Sequence, residues 1–489
     1  MSPEFDSIID RDSERDRLES LLQRGTPQLA LVYGRRRVGK THLLNCVWPH
    51  GSSFYFTAAE TTSAQNRDAL LSSFAEWRGE PVSIEDYPTW RAVFRLLLEH
   101  RSPEPLAITI DEFQYLGESE RELNAVASEL NAAWEARRPA RPLVLVLAGS
   151  AVSILESLNA GGSPLYGRFA WQHRLRPFDY WYAGRMAGFS GLRDRACAYG
   201  IFGGTPRYLA AIDPRLTLEE NVRTRMLAPG GEVRELVRTA LLQEQGLRDI
   251  PKYTAILRAI GRGRTTLNEI AQGAGLAMDT ALREKLDRLV ELDYVVAGRN
   301  LEARSREPFR YRIADPALRF FYEFVAPWES VLDTQPVQAV WDRHVAPTLD
   351  GYMGLAFERM VEQAYYRLQG PLDLPLVAEW GRWEGVDRAR QSVEVDIASR
   401  LSDGRVLSGA IKWGRNRVDV DVHNAHLVML DRLAEAGHAW AHEAVQSTSP
   451  LLYVAAGGFT SRFRRAAEAS RDEVYLWSLE ELYRNDDGS

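Results

Sequence analysis

Cysteine is nearly absent from the 489 residues: Cys46 and Cys197 are the two present, far apart and without metal-ligand spacing. That excludes a disulfide framework and a cysteine-based zinc site, and it points to a reducing compartment. Long hydrophobic runs are missing too. No apolar stretch approaches the roughly 20 residues that a membrane-spanning helix needs. The opening MSPEFDSIIDRDSERDRL alternates acid and base where a signal peptide would carry an apolar core. A cytoplasmic protein without a membrane partner is the expectation. Histidine offers no metal site: His438 and His442 stand one helical turn apart and His423 and His426 lie close, but no third ligand has zinc spacing. There is no recognisable Ser-His-Asp or catalytic-cysteine arrangement.

Lysine is scarce as well. Among 60 Lys+Arg the lysines are Lys40, Lys252, Lys285 and Lys412. Where arginine serves as the general cation, a lysine is kept for a compact point charge with three donors. The net charge of −7 argues against indiscriminate coating of nucleic acid and leaves room for a local basic patch. With 45% hydrophobic and 26% charged residues the composition is that of an ordinary globular protein, and the length predicts roughly two to four domains.

What is present begins with an apolar run, Leu29-Ala30-Leu31-Val32-Tyr33, that stops at Gly34 and is followed by GRRRVGKT and the apolar helix start Leu43-Leu44. Strand, glycine-containing loop and helix in that order make G-x-x-x-x-G-K-[ST] a P-loop. Its backbone N–H groups form a concave phosphate site at the positive end of the helix. Gly34, Arg35, Arg36, Arg37, Val38, Gly39, Lys40 and Thr41, with His42 beside them, are therefore the expected nucleotide-binding residues. Lys40 reaches the β- and γ-phosphates and the Thr41 hydroxyl coordinates Mg²⁺. A second apolar strand, Leu106 to Ile110, ends at Asp111-Glu112. It is expected beside the P-loop strand, with Asp111 on Mg²⁺ and Glu112 on the attacking water. Ser150 ends the next strand, Pro142 to Ala148, where a polar side chain can sense the γ-phosphate. Arg168 is either an arginine finger or a surface arginine in a structural ion pair.

Helix and strand patterns alternate from Ile8 to about Phe178, as in an α/β sheet domain. Residues 180–245 are mainly helical, broken at Gly203-Gly204-Thr205-Pro206. Tyr253 to Ile260, Leu267 to Ala274 and Thr280 to Leu292 are three short amphipathic helices. Tyr294-Val295-Val296 and Tyr311-Arg312-Ile313 then form a hairpin. That order is a winged helix-turn-helix. Its third helix offers Arg283, Lys285 and Arg288 to DNA, and the loop offers Arg299, Arg304, Arg306, Arg310 and Arg312 against Glu302 and Glu307. Asp279, Glu284, Asp287 and Glu291 on the same helix repel phosphate, so an interdomain packing module is the competing reading. From about residue 345 the pattern is α/β again, with strands at Val393 to Ile397, Val406 to Lys412 and Leu451 to Ala455. The expected domains are 1–180, 181–248, 249–330 and 345–489.

VYGRRRVGKT, ITIDEFQYL, AGS, SPLYGR, GGTPRYL and YRIADPALRFFYEFV occur in that order. From about residue 8 to residue 480 the chain resembles the archaeal ATPase family of P-loop proteins, related to the AAA+ and STAND NTPases and also common in bacteria. The resemblance implies that Gly204-Thr205-Pro206 sits in a helical lid with Pro206 against the adenine. It also implies a C-terminal unit similar to PD-(D/E)XK restriction-endonuclease-like domains. The resulting fold class is α/β: a P-loop ATPase domain with a helical lid, a winged helix-turn-helix and a C-terminal restriction-endonuclease-like α/β domain. One departure is Ile9-Asp10-Arg11, where the family has a glycine before the arginine.

Nuclease sites of that kind use an Asp at one strand end and Glu-x-Lys on the next, the carboxylates holding Mg²⁺ and the lysine the attacking water. Glu358, Asp396 (also the metal ligand) and Lys412 are the matching residues, but Ala410 stands where the family has glutamate. Three readings follow: a natural pseudo-nuclease, an acid moved elsewhere with Glu394 nearest, or a substitution that silences cutting. Inactivity of this C-terminal site is the reading preferred. ATP and Mg²⁺ are the expected cofactors and DNA the expected partner; a homo-oligomer and a protein partner stay open. The two function classes are a DNA-coupled ATPase with a nuclease-type effector and a nucleotide-dependent regulatory or scaffold protein.

Overall fold

The structure, a computed structural model, describes residues 11–100, 104–136, 142–244, 247–303, 309–446, 448–470 and 473–484. The chain divides into two compact units, Met1–Pro177 with Leu242–Arg248, and Phe178–Leu241 with Asp249–Ser489.

The first unit is a parallel sheet flanked by helices. Its strands are β1 (Gln28–Tyr33), β2 (Ser53–Thr57), β3 (Leu106–Asp111), β4 (Leu143–Gly149) and β5 (Trp171–Arg174), in the spatial order β2-β3-β4-β1-β5. All the pairings are parallel. β3 and β4 are buried along their whole length, because helices cover both faces and leave no solvent side for polar residues. One expectation is corrected here: β3 does not lie beside β1. β4 is inserted between them, with Tyr33 in register with Gly149 and Ile110 with Leu147. Chain order does not give spatial order when crossover connections are long. β5 has no apolar run at all; it is a four-residue edge strand, WQHR, half-buried throughout.

Helix α1 (Asp12–Leu22) buries Leu18 and Leu21 completely against the sheet, alongside Leu43 and Leu44 of α2 (Lys40–Cys46). α3 (Ser63–Arg78) starts at a capping box, Thr62 with Gln65, that satisfies two otherwise orphaned N–H groups. α4 (Trp90–Glu99) and α5 (Glu120–Ala136) pack on one another, and α3 packs on β2.

The second unit opens with helices at Tyr180–Ala187, Leu192–Phe202 and Pro206–Leu209. The break between the last two needs its glycine: a Cβ at Gly204 would sit 1.8 Å from the Phe178 carbonyl oxygen. After further helices at Leu218–Asn221 and Glu232–Arg238 come three more, Ile250–Gly261, Leu267–Ala274 and Thr280–Glu291, then an antiparallel hairpin of β6 (Val295–Gly298) and β7 (Arg310–Ile313). The middle helix is capped reciprocally by Thr266 and Glu269, and Thr266 also bridges to Arg310 as a short third strand.

The C-terminal part holds β8 (Val377–Glu379), β9 (Trp383–Val386), β10 (Ser392–Val395), β11 (Ile397–Leu401), β12 (Val406–Lys412), β13 (Leu451–Ala455) and β14 (Val474–Trp477). Five of them form a mixed sheet, β14-β13-β12-β11-β8, while β9 and β10 make a separate ribbon. The run Val393 to Ile397, expected as one strand, breaks at Asp396, and its halves enter different sheets. The burial pattern marks the break: exposed and buried positions alternate through Val395, then Ile397 and Ala398 are buried in succession.

Candidate nucleotide site

The loop between β1 and α2 is shaped by three residues at positive φ: Gly34 (156°), Arg37 (72°) and Gly39 (95°). At Gly34 the demand is steric as well, since a Cβ would stand 2.2 Å from the Leu175 carbonyl oxygen. Arg37 accepts a left-handed backbone that costs a non-glycine residue free energy, a conformation found disproportionately at ligand sites. Lys40 is buried, and its Nζ donates to the carbonyl oxygens of Gly34 at 2.8 Å and Arg35 at 2.9 Å. Burial pushes its ammonium below the usual lysine range, against the pull of Glu112, Asp111 and Glu244.

Opposite the loop, Asp111 is 1% exposed and is fixed by three donors. Thr41 Oγ1 and the Tyr55 hydroxyl donate to its Oδ2 at 2.9 and 2.5 Å, and the Glu112 N–H to its Oδ1 at 2.8 Å. Burial, and then the Asp111 charge, push the Tyr55 phenol well above its ordinary range, so it stays a donor. A hydroxyl and a carboxylate at hydrogen-bond distance form an all-oxygen donor pair of the kind Mg²⁺ selects. Glu112, itself at φ 53°, turns its carboxylate toward β4, where Ser150 donates from Oγ at 2.8 Å and from its N–H at 3.2 Å. Gln114 Nε2 donates to the same oxygen.

Of the residues expected at this site, Gly34, Gly39, Lys40, Thr41, Asp111, Glu112 and Ser150 are brought together. Arg36 donates to the Tyr115 hydroxyl at 2.8 Å and Arg37 to Gln243 Oε1 at 2.5 Å. Arg35 and Val38 are buried, and His42 is exposed with Nδ1 3.9 Å from Cys46 Sγ. Arg168 pairs with Glu135 at 3.0 Å. Pro206 opens the helix Pro206–Leu209 of the second unit. Sequence reasoning passed over Tyr55, Gln114 and the role of Arg11. The Arg11 guanidinium donates to the carbonyl oxygens of Val38 at 3.4 Å and Arg176 at 2.6 Å, tying the start of α1 to the phosphate loop. Glu14 supports it: burial raises that carboxyl, but hydrogen bonds from His173 and Ser13 and the Arg11 charge hold it at about 2. Ile9 and Asp10 lie outside the described residues.

On the three-helix segment Arg283 is exposed, Lys285 Nζ sits 5.2 Å from the Tyr253 ring centre, and Arg288 pairs with Glu291 at 3.0 Å. Arg299 stacks on Phe309 at 3.8 Å. Arg310 pairs with Glu384 at 3.3 Å, and Arg312 is half-buried near Glu358, Glu384 and Glu394. Burial and the Arg382 charge push the Arg312 guanidinium down. Glu302 pairs with Arg400, and Leu301 is buried with Trp383 and Val395. Arg304, Arg306 and Glu307 lie outside the described residues.

In the C-terminal part, ligand oxygens of Glu358, Glu394 and Asp396 lie within 4.8 Å of one another. Asp396 Oδ2 accepts the Ile411 N–H at 2.8 Å, with Lys412 Nζ at 3.4 Å. Glu358, Asp396 and Lys412 thus share one neighbourhood. Arg382 also enters it, donating to Glu358 at 2.9 Å and to Glu394. Burial pushes the Glu358 carboxyl up, opposed by Arg382. Ala410 packs against the apolar cluster of Tyr453 and Phe463.

Residues 8–212 match the family model of an ATPase domain found predominantly in Archaea. Over this segment the chain is similar to that family. Residues 321–424 match a family of archaeal and bacterial proteins of unknown function. An uncharacterized protein of Methanocaldococcus jannaschii is 24% identical over 415 residues, 83% of this chain and 87% of its own length. Among solved structures, the Walker-type ATPase of Pyrococcus abyssi is similar at 22% identity and a TM-score of 0.45, covering 64% of this chain and 96% of that one. The ORC2 protein of Aeropyrum pernix, in ADPNP and ADP complexes, is similar at 15% identity and 0.43, covering 69% and 95%.

Proposed function

We propose that this chain hydrolyses MgATP at the β1–α2 loop and uses the cycle to regulate contact with DNA. The observation that carries the hydrolytic half is the 2.9 Å hydrogen bond between Thr41 and Asp111, with Glu112 next in sequence. Thr41 and Asp111 are the residues that would hold Mg²⁺, which supplies charge neutralisation on the phosphates. Lys40 exchanges the loop carbonyls it now contacts for phosphate oxygens. Glu112 takes the proton of the attacking water, and Asp111 is held in place for the metal by donors from Thr41, Tyr55 and the Glu112 N–H. In this reading Pro206 belongs to the lid on the adenine, and Arg168, released from Glu135, serves a neighbouring copy as a finger. Calorimetry with ATP and steady-state phosphate release, on the parent and on Lys40→Ala, Asp111→Asn and Glu112→Gln, test it.

For DNA, the three helices and hairpin at residues 250–313 are read as a winged helix with Arg283 among its exposed cations. A second reading is favoured by a specific observation: the hairpin faces its own chain. Arg310 pairs with Glu384, and Leu301 is buried with Trp383. Such a module couples parts of the second unit without touching nucleic acid. DNA stimulation of phosphate release separates the two. The C-terminal part is read as a PD-(D/E)XK-like domain that does not cut, since Ala410 supplies no carboxylate and Arg382 already pairs with Glu358 and Glu394. The domains proposed are 1–180, 181–248, 249–330 and 345–489.

A further inference from the structure

Gln114 stands two residues beyond Glu112, in the short 3-10 turn Phe113–Leu116 that the left-handed Glu112 initiates. The turn curls its side chain back under the carboxylate. Its amide can be oriented in one way. A carboxylate only accepts, so Gln114 presents its NH₂ to Glu112 Oε2 and turns Oε1 toward β4. There it meets the last residue of β4, Gly149: a Cβ at that position would stand 2.2 Å from Gln114 Oε1. The glycine before Ser150 is therefore the space that this amide fills. Gln114 is 5% exposed, and its Oε1 is buried without a hydrogen-bond partner among the described residues. An unsatisfied buried acceptor costs stability, which is understandable where the other end of the amide has a task.

Three donors thus converge on one oxygen of Glu112: Ser150 Oγ, the Ser150 N–H and Gln114 Nε2, all on Oε2. Among the described contacts none is made to Oε1. We infer that Gln114 is a positioning residue for ATP hydrolysis, clamping Oε2 together with Ser150 so that Oε1 is the oxygen that receives the proton. In the step itself the water oxygen bonds to the γ-phosphorus, the bond from that phosphorus to the β,γ-bridging oxygen breaks, and the water proton passes to Oε1. ADP keeps the bonding pair, and phosphate leaves. Gln114 touches neither water nor phosphate. It acts by removing the rotation that would turn Oε1 away, and holding a reacting group in one geometry lowers the barrier without changing ground-state binding. Ser150 takes on a second role, as an anchor for the base as well as a sensor.

This inference rests on the hydrolytic reading, and the test keeps the two apart. Gln114→Ala removes the clamp directly; Gly149→Ala displaces the same amide by filling its space. Each is expected to lower kcat by roughly ten- to a hundredfold, the scale of one charge-assisted hydrogen bond, with KM and MgATP affinity unchanged. Because both act on one contact, the double variant should be no slower than the slower single one. In a Glu112→Gln background, Gln114→Ala should leave the residual single-turnover rate where it was. Parent-like kcat in Gln114→Ala, or the same fold-loss with and without Glu112→Gln, overturns the inference while leaving hydrolysis intact. Loss of MgATP affinity in both variants makes Gln114 a structural residue and overturns it too. A parent chain that binds MgATP without hydrolysing it overturns the hydrolytic reading and this inference together.

Discussion

Thr41 and Asp111, separated by 70 residues, share a hydrogen bond of 2.9 Å across the ends of α2 and β3. Tyr55 donates to the same Asp111 oxygen from β2. The carboxylate proposed to hold Mg²⁺ is therefore fixed by donors from elements on both sides of it. Removing Tyr55 tests that arrangement. Tyr55→Phe keeps the ring packing and deletes one of the donors that fix the Asp111 carboxylate. MgATP affinity in calorimetry should fall several-fold, with affinity for ATP in EDTA unchanged. Equal losses with and without Mg²⁺ would show that Tyr55 shapes the loop instead.

Lys40→Ala deletes the buried cation proposed to contact the β- and γ-phosphates. A charge-assisted contact of this kind contributes about 1.5–3 kcal/mol, so ATP binding should weaken by roughly ten- to a hundredfold. Unchanged affinity by calorimetry removes Lys40 from the site.

His426 sets a pH dependence in the second unit. It is buried, its Nε2 lies 3.0 Å from Ser408 Oγ, and His423 and Lys412 are the nearby cationic groups. Burial, then those charges, push its imidazole from 6.5 down to about 3. The folded state binds fewer protons than the unfolded state between those values, so stability is full above 6.5 and falls as the pH drops toward 3. From pH 7 to pH 5 this residue alone should remove about 2 kcal/mol. Urea unfolding of the parent and of His426→Leu at both pH values checks it; an equal pH slope in the two chains contradicts it.

The hairpin readings separate on charge. If residues 250–313 contact duplex DNA, affinity falls with salt by a log–log slope of roughly −0.9 per phosphate, and Arg283→Ala reduces that slope by about one. Arg310→Ala should leave the slope alone and lower stability, since Arg310 is paired with Glu384 at 3.3 Å. No binding at low salt favours the packing module.

Plasmid cleavage with Mg²⁺ or Mn²⁺ should be absent in the parent, and Ala410→Glu should introduce it by adding a carboxylate on the strand that carries Lys412. Robust parental cutting that Glu394→Ala abolishes would show that the acid had moved to the cluster of Glu358, Glu394 and Asp396.

The candidate nucleotide site was legible because its chemistry is local: glycines, lysine and threonine at fixed spacing behind an apolar strand, then a second such strand ending in two acids. What escaped is what non-local pairing decides. β5 carries Trp-Gln-His-Arg, which at a sheet edge needs no apolar run, and the insertion of β4 between β1 and β3 leaves no mark in either strand. Tyr55 alternates with buried Phe54 and Phe56 and so reads as packing, though its hydroxyl reaches Asp111. In the C-terminal part, the meeting of Arg382 with Glu358 and Glu394 depends on a ribbon, β9–β10, that the single-strand reading of Val393 to Ile397 could not supply.

The most direct test of the account is the pair Glu112→Gln and Asp111→Asn, measured side by side for MgATP affinity and phosphate release. Glu112→Gln should bind MgATP as the parent does and lose turnover, because the carboxylate matters in the transition state. Asp111→Asn should lose both. A Glu112→Gln chain that releases phosphate at the parent rate would contradict the central claim.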